Sequence, residues 1–122
     1  MTAVLDASAV LAYLLDETGA YLVESALNDG AAISAVNWSE VAQKVTAAGG
    51  DWPVAEALLT SYNITIIPAD ADLAIAAALR WQRGSGLSLA DRFCLATAVA
   101  LSVPALTADT AWGTSTTIRQ IR

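Results

Sequence analysis

The sequence predicts an α/β protein, a three-layer α/β/α sandwich around a short central parallel sheet, with residues 1–122 forming a single domain. Three observations carry this. Apolar residues make up 56% of 122 positions, enough for a core in a length that leaves room for only one. Short apolar runs alternate with longer segments of helical periodicity. Successive strands are separated by one or two helices, which implies parallel pairing through helical crossovers.

In chain order, TAVLD reads as a short buried strand, and a helix follows almost at once from Ser8 to Leu15. A second helix is expected from about Thr18 to Asn28, ended by Gly30. AAISAV is the second strand, and the helix after it runs from Asn37 to Ala48 until Gly49-Gly50 stop it. DWPVAEALLTSY is a further helix, with Pro53 in the first turn, where no backbone donor is needed. Ile64 to Ile67 is the most β-branched run and a strand. Asp70 to Arg83 reads as helix, GSG at 84–86 as a stop and turn, and Ser88 to Leu101 as the next helix. PALTAD supplies a short strand, and TTIRQI a last strand at the sheet edge.

What is missing narrows the chemistry. The longest apolar candidate for a membrane span, Leu95 to Leu106, is interrupted by Ser102 and Pro104. MTAVLDASAV has no positive leader and carries Asp6, so no secretory signal and a cytoplasmic location are expected. Cys94, the lone cysteine, lies between Phe93 and Leu95 and reads as a packed thiol. There is no histidine, and Lys44 is the only lysine; catalytic triads, Cys-His pairs and histidine zinc sites are excluded. No phosphate-binding P-loop is present. An enzyme with this composition must work through carboxylates. Twelve acidic against six basic residues give a net charge of −6, which argues against a simple nucleic-acid-coating module. Several acids, among them Glu24, Asp29, Asp51 and Glu56, are expected on a solvated surface.

Ligands of open α/β sheets sit beyond the carboxyl ends of the strands. Asp6 ends the first strand there, Glu40 is expected in the first turn of the helix after the second, Asp91 in the first turn of its own helix, and Asp109 after the strand ALT. Each also has a local reading. Asn37-x-x-Glu40 and Ser88-x-x-Asp91 fit capping-box spacing, and Asp6 and Asp109 fit helix caps. A shared site explains why four acids meet at one edge. Crowded carboxylates disfavour their own charge unless a cation joins them, and oxygen donors without His or Cys suit Mg²⁺ or Mn²⁺ rather than zinc.

Four segments in order, VLDASAVLAYLLDE, SAVNWSEVAQK, LSLADRFCLATAVAL and LTADTAW, span essentially the whole chain, and through them it resembles the PIN domains, most closely the small VapC-type toxins of toxin–antitoxin pairs. The resemblance implies a metal-dependent endoribonuclease that hydrolyses RNA phosphodiester bonds, leaving 5′-phosphate and 3′-hydroxyl ends. It carries the family's acids onto Asp6, Glu40, Asp91 and Asp109, the first three around the better-held ion and Asp109 nearer a second or holding a coordinated water. Ser8, Asn37 and Thr107 match flanking polar positions; Ser8 and Thr107 then orient carboxylates or waters, or else satisfy caps and turns. It also implies a homodimer and a cognate antitoxin that sends a basic side chain toward the acids.

RNA would have to be held by Lys44, Arg80, Arg83, Arg92, Arg119 or Arg122, the only cationic side chains. For Arg92 a surface salt bridge and a phosphate contact are both open. Trp38 and Trp112 either flank the site or pack in the core, whereas Trp52 and Trp81 are expected in packing or an interface. The faces at Tyr21–Leu27 and Trp52–Tyr62 are candidate docking or dimer surfaces, or core. Two other functions fit less well: a non-catalytic acidic module that holds a metal and binds a basic protein segment, and a DNA-directed structure-specific nuclease, against which the small size and the lack of a basic track argue.

Overall fold

The computed structural model describes residues 1–122. The strands β1 (Ala3–Leu5), β2 (Ala31–Ser34), β3 (Thr65–Ile67), β4 (Ala105–Thr107) and β5 (Ile118–Gln120) form one sheet in the order β3-β2-β1-β4-β5, every pair parallel. Six helices connect them: α1 (Ala7–Leu14), α2 (Ala20–Asp29), α3 (Ala35–Ala47), α4 (Trp52–Ser61), α5 (Ala71–Leu79) and α6 (Leu89–Leu101).

The three central strands β2, β1 and β4 read as largely apolar runs because both of their faces are covered, whereas the edge strands β3 and β5 are partly exposed. The pleat of the central strands divides the side chains between two faces. Leu5, Ile33 and Leu106 pack with Val10, Val23 and Leu27 of α1 and α2, while Val4, Ala32 and Ala105 pack with Cys94, Leu95 and Ala98 of α6. Alanines on the second face let α6 lie close to the sheet, and α5 packs on α6 through Ala77, Phe93 and Ala96. TTIRQI does supply the edge strand.

Some boundaries differ from the sequence reading. Helix α3 begins at Ala35, and its cap is Ser34, whose hydroxyl accepts from Val36 N at 3.2 Å. Asn37 therefore sits inside the helix and Glu40 in its second turn, so neither is a terminal capping residue. Helix α5 stops at Leu79, with Arg80 as its C-cap, and releases residues 81–83 into the connection to α6. Helix α2 starts at Ala20, after Gly19, where a Cβ would collide with the Ile121 carbonyl oxygen; only glycine fits where the C-terminal segment crosses.

Strand β1 is the switch point of the sheet. The chain leaves it toward β2 on one side and returns through β4 on the other, so the crevice beyond β1 and β4 is where such a sheet binds ligands.

Candidate active site

Asp6 follows β1 directly and caps α1, its Oδ1 accepting from Ala9 N at 2.8 Å. It is only 4% exposed. Two hydroxyls complete its surroundings: Thr107 Oγ1 donates to Oδ2 at 2.6 Å, and Ser8 Oγ lies 2.8 and 2.9 Å from the two oxygens. Both hydroxyls are themselves aimed by backbone, since Ala108 N donates to Ser8 Oγ at 2.9 Å and Asp109 N to Thr107 Oγ1 at 3.0 Å. Each hydroxyl has its acceptor position filled from behind, so its proton points at Asp6. Burial raises the Asp6 carboxyl above its ordinary 3.8; the bonds from Thr107, Ala9 and Ser8 pull it back, and the charge of Asp91 pushes it further up.

Asp91 completes a capping box: Ser88 N donates to its Oδ2 at 2.9 Å, and Asp91 N donates to Ser88 Oγ at 3.1 Å. Asp109 caps the short 3-10 turn Thr110–Trp112 through Ala111 N at 3.0 Å. The local reading therefore holds for Asp6, Asp91 and Asp109, and it does not compete with a shared site, because a carboxylate has about four acceptor positions and a cap uses one. Glu40 caps nothing. Its Oε1 accepts from Asn37 Nδ2 at 3.1 Å, and the same amide nitrogen lies 3.2 Å from Ala90 O, tying α3 to the start of α6. Asn37 is 1% exposed, and its Oδ1 has no partner.

Asp6, Glu40, Asp91 and Asp109 line one cavity of about 100 Å³, together with Ser8, Asn37 and Lys44. Thr107 stands behind Asp6. Larger grooves, of about 520 and 430 Å³, hold no such cluster. Burial, reinforced by the charges of Asp6, Asp91 and Glu40, also pushes the Cys94 thiol well above its ordinary range, so that thiol is inert.

As they lie, no three carboxylates meet at the spacing of a metal cage. The chemistry of the donor set nonetheless fits a hard divalent ion. All donors are oxygens, Asn37 Oδ1 is a buried acceptor without a proton to accept, and Mg²⁺ keeps several waters and takes one or two carboxylates directly.

A PIN domain profile matches residues 3–113. The chain belongs to the PIN domain family. PIN domains are nucleases and generally use divalent metal ions. No curated protein matches this PIN domain in sequence. Among solved structures it is similar to a toxin–antitoxin complex from Klebsiella pneumoniae, with a TM-score of 0.78 at 24% identity over 99% of this chain and 98% of that one. It is also similar to FitAB bound to an IR36 DNA fragment (0.67, 19%, 98% and 95%) and to PAE2754 from Pyrobaculum aerophilum (0.65, 17%, 99% and 84%).

Around the cavity of this PIN domain the flanking residues settle among the readings the sequence left open. Arg92 makes no salt bridge: its Nη1 donates to Ala77 O at 3.0 Å, fastening α6 to the end of α5. Trp38 packs edge-to-face on Trp52, ring centres 5.1 Å apart, and Trp112 packs beside α6 and β4. Trp81 is 56% exposed, with the Arg83 guanidinium 5.9 Å from its ring centre. Of the candidate docking faces, Tyr21, Val54 and Leu58 are exposed while Val23, Leu27 and Leu59 are core. Sequence reasoning passed over Lys44 as a lining residue of the cavity, although its spacing of four from Glu40 puts both on one helix face.

Proposed function

We propose that this protein is an Mg²⁺- or Mn²⁺-dependent endoribonuclease acting in the cytoplasm as the toxin of a toxin–antitoxin pair, with residues 1–122 as one catalytic unit. The observation that carries the reading is that four carboxylates from four separate segments line one cavity at the switch-point edge of the sheet.

Asp6, Glu40 and Asp91 would hold the ion, with Asp109 at the mouth of the cavity for a second. When bound, the ion supplies a lowered pKa for the attacking water and charge stabilisation for the departing 3′ oxygen. Ser8 and Thr107 fix the orientation of Asp6, so the carboxylate does not swing when RNA enters. Asn37 holds the Glu40 carboxylate and would contribute its unpartnered oxygen to a ligand water.

An antitoxin partner is supported by the likeness to a toxin–antitoxin complex and by a net charge of −6, which favours encounter with a basic segment. A homodimer would use the exposed apolar residues Ile75, Leu79, Trp81 and Leu89, a group richer than the faces at Tyr21 or Val54 and Leu58.

The test is incubation of the purified protein with defined RNAs and DNAs, with Mg²⁺ or Mn²⁺ against EDTA, followed by mapping of the ends. RNA cut to 5′-phosphate and 3′-hydroxyl ends, with no cutting in EDTA, is expected. Cleavage retained in EDTA overturns the mechanism. Preference for DNA moves the reading to a structure-specific DNA nuclease, and metal binding without any cleavage to the non-catalytic module.

A further inference from the structure

Five of the six cationic side chains are committed elsewhere or placed away from the acids. Arg92 is bonded to Ala77 O, Arg122 lies 3.4 Å from Glu17, and Arg83 sits over Trp81. Arg119 lines the large groove that Asp29 also lines, and Arg80 ends α5. Lys44 alone lines the acid cavity. One helical turn beyond Glu40, it is spaced for a Glu-to-Lys pair, yet the molecule's only ion pair is Arg122 with Glu17. Its ammonium is therefore not bound to any carboxylate. Lys44 also borders the apolar groove of Leu11, Leu14, Val54 and Leu58. A lysine at such a boundary lays its methylene stem on the apolar wall and keeps the charged end in water, and Lys44, exposed and lining both the groove and the acid cavity, is in that position.

From this placement we infer that Lys44 is the phosphate-anchoring residue of the site, its ammonium taking a non-bridging oxygen of an RNA phosphate beside the bond to be cut. The inference rests on the nuclease reading above. An RNA strand entering a cavity of four carboxylates meets repulsion wherever an ion does not shield it. A mobile ammonium at the mouth offsets that repulsion and sets which phosphate comes to rest over the ion, acting on binding and register rather than on the water. Lys44 is thus a positioning residue.

The experiment compares the parent, Lys44→Gln and Lys44→Arg in Mg²⁺ on a defined single-stranded RNA, for KM, kcat and the salt dependence of binding. Binding is read by anisotropy of the labelled RNA in a Glu40→Gln background that does not cut. Lys44 is exposed, so folding is expected to survive, and a melting curve verifies it. Losing one charged contact should raise KM about tenfold with kcat within about twofold. It should also lower the slope of log affinity against log salt by about 0.7. Lys44→Arg should restore most of the affinity. An unchanged KM and salt slope in a parent that binds and cuts RNA overturns the role of Lys44 alone, as does tighter Mg²⁺ binding with unaltered RNA affinity. A parent that neither binds nor cuts RNA removes the ribonuclease reading, and this inference with it.

Discussion

On the strand side of the cavity, Asp6 is 4% exposed and takes three donors, one of them from a hydroxyl 101 residues away; on the helix side, Asp91 and Glu40 are half-buried and each accepts one bond from within three residues. The first is assembled by the sheet. The second is assembled by each helix for itself. A carboxylate held from across the fold is rigid and expensive to disturb, whereas one held by its own helix end keeps free acceptor positions and tolerates change. With one fixed and two adaptable acids, the pocket would take up an ion by side-chain rotation rather than by refolding.

That contrast is broken most severely at the acids themselves. Asp6→Asn and Asp91→Asn should both reduce Mg²⁺-dependent RNA cleavage by more than the roughly 10–100-fold that losing an outer hydrogen-bonding partner costs. Cleavage by either variant within tenfold of the parent would remove that residue from the site.

The two sides should then separate in stability. Thr107→Val deprives buried Asp6 of a donor and Asp109 N of an acceptor, and should cost about 1–3 kcal/mol in denaturant unfolding. On the helix side, Asp91→Ala loses the capping box at about 0.5–2 kcal/mol, but Asp91→Asn keeps an oxygen for Ser88 N and should stay within about 0.5 kcal/mol of the parent. An Asp91→Asn variant as unstable as Asp91→Ala would mean that the charge, not the acceptor, holds the helix end.

The finest distinction is in pH. The folded Asp6 carboxyl titrates above 3.8, chiefly through burial, so its contribution to stability is full below that value and is lost as pH rises through the raised one. In EDTA, parent and Asp6→Asn should melt alike below pH 3.8, and the parent should fall behind the variant at higher pH. A parent that gains on the variant as pH rises would show that the hydrogen bonds from Thr107, Ala9 and Ser8 outweigh burial.

By itself the sequence determined the layering and the placement of the acids at one sheet edge, because both follow from local signals: apolar runs, helical periodicity, and a Ser88-x-x-Asp91 box that reads the same in one dimension as in three. It also supplied the alternatives of cap or shared cavity at Asp6, Asp91 and Asp109 without the means to see that each residue caps its own turn and lines the cavity as well. Contacts between distant segments were decided only by tertiary structure. Ser8 and Thr107 kept two readings, orienting a carboxylate or satisfying a cap or turn, until parallel pairing of β1 with β4 brought Thr107 onto Asp6. Arg92 looked like a surface charge until α5 packed against α6 and offered it the Ala77 carbonyl. Lys44 was one cation among six until α3 turned it toward the cavity that Glu40 lines. Local propensity acts over a few residues, whereas the hydrogen bonds and charges that orient a site depend on which segments the sheet order makes neighbours, and that order is fixed by burial of the whole core.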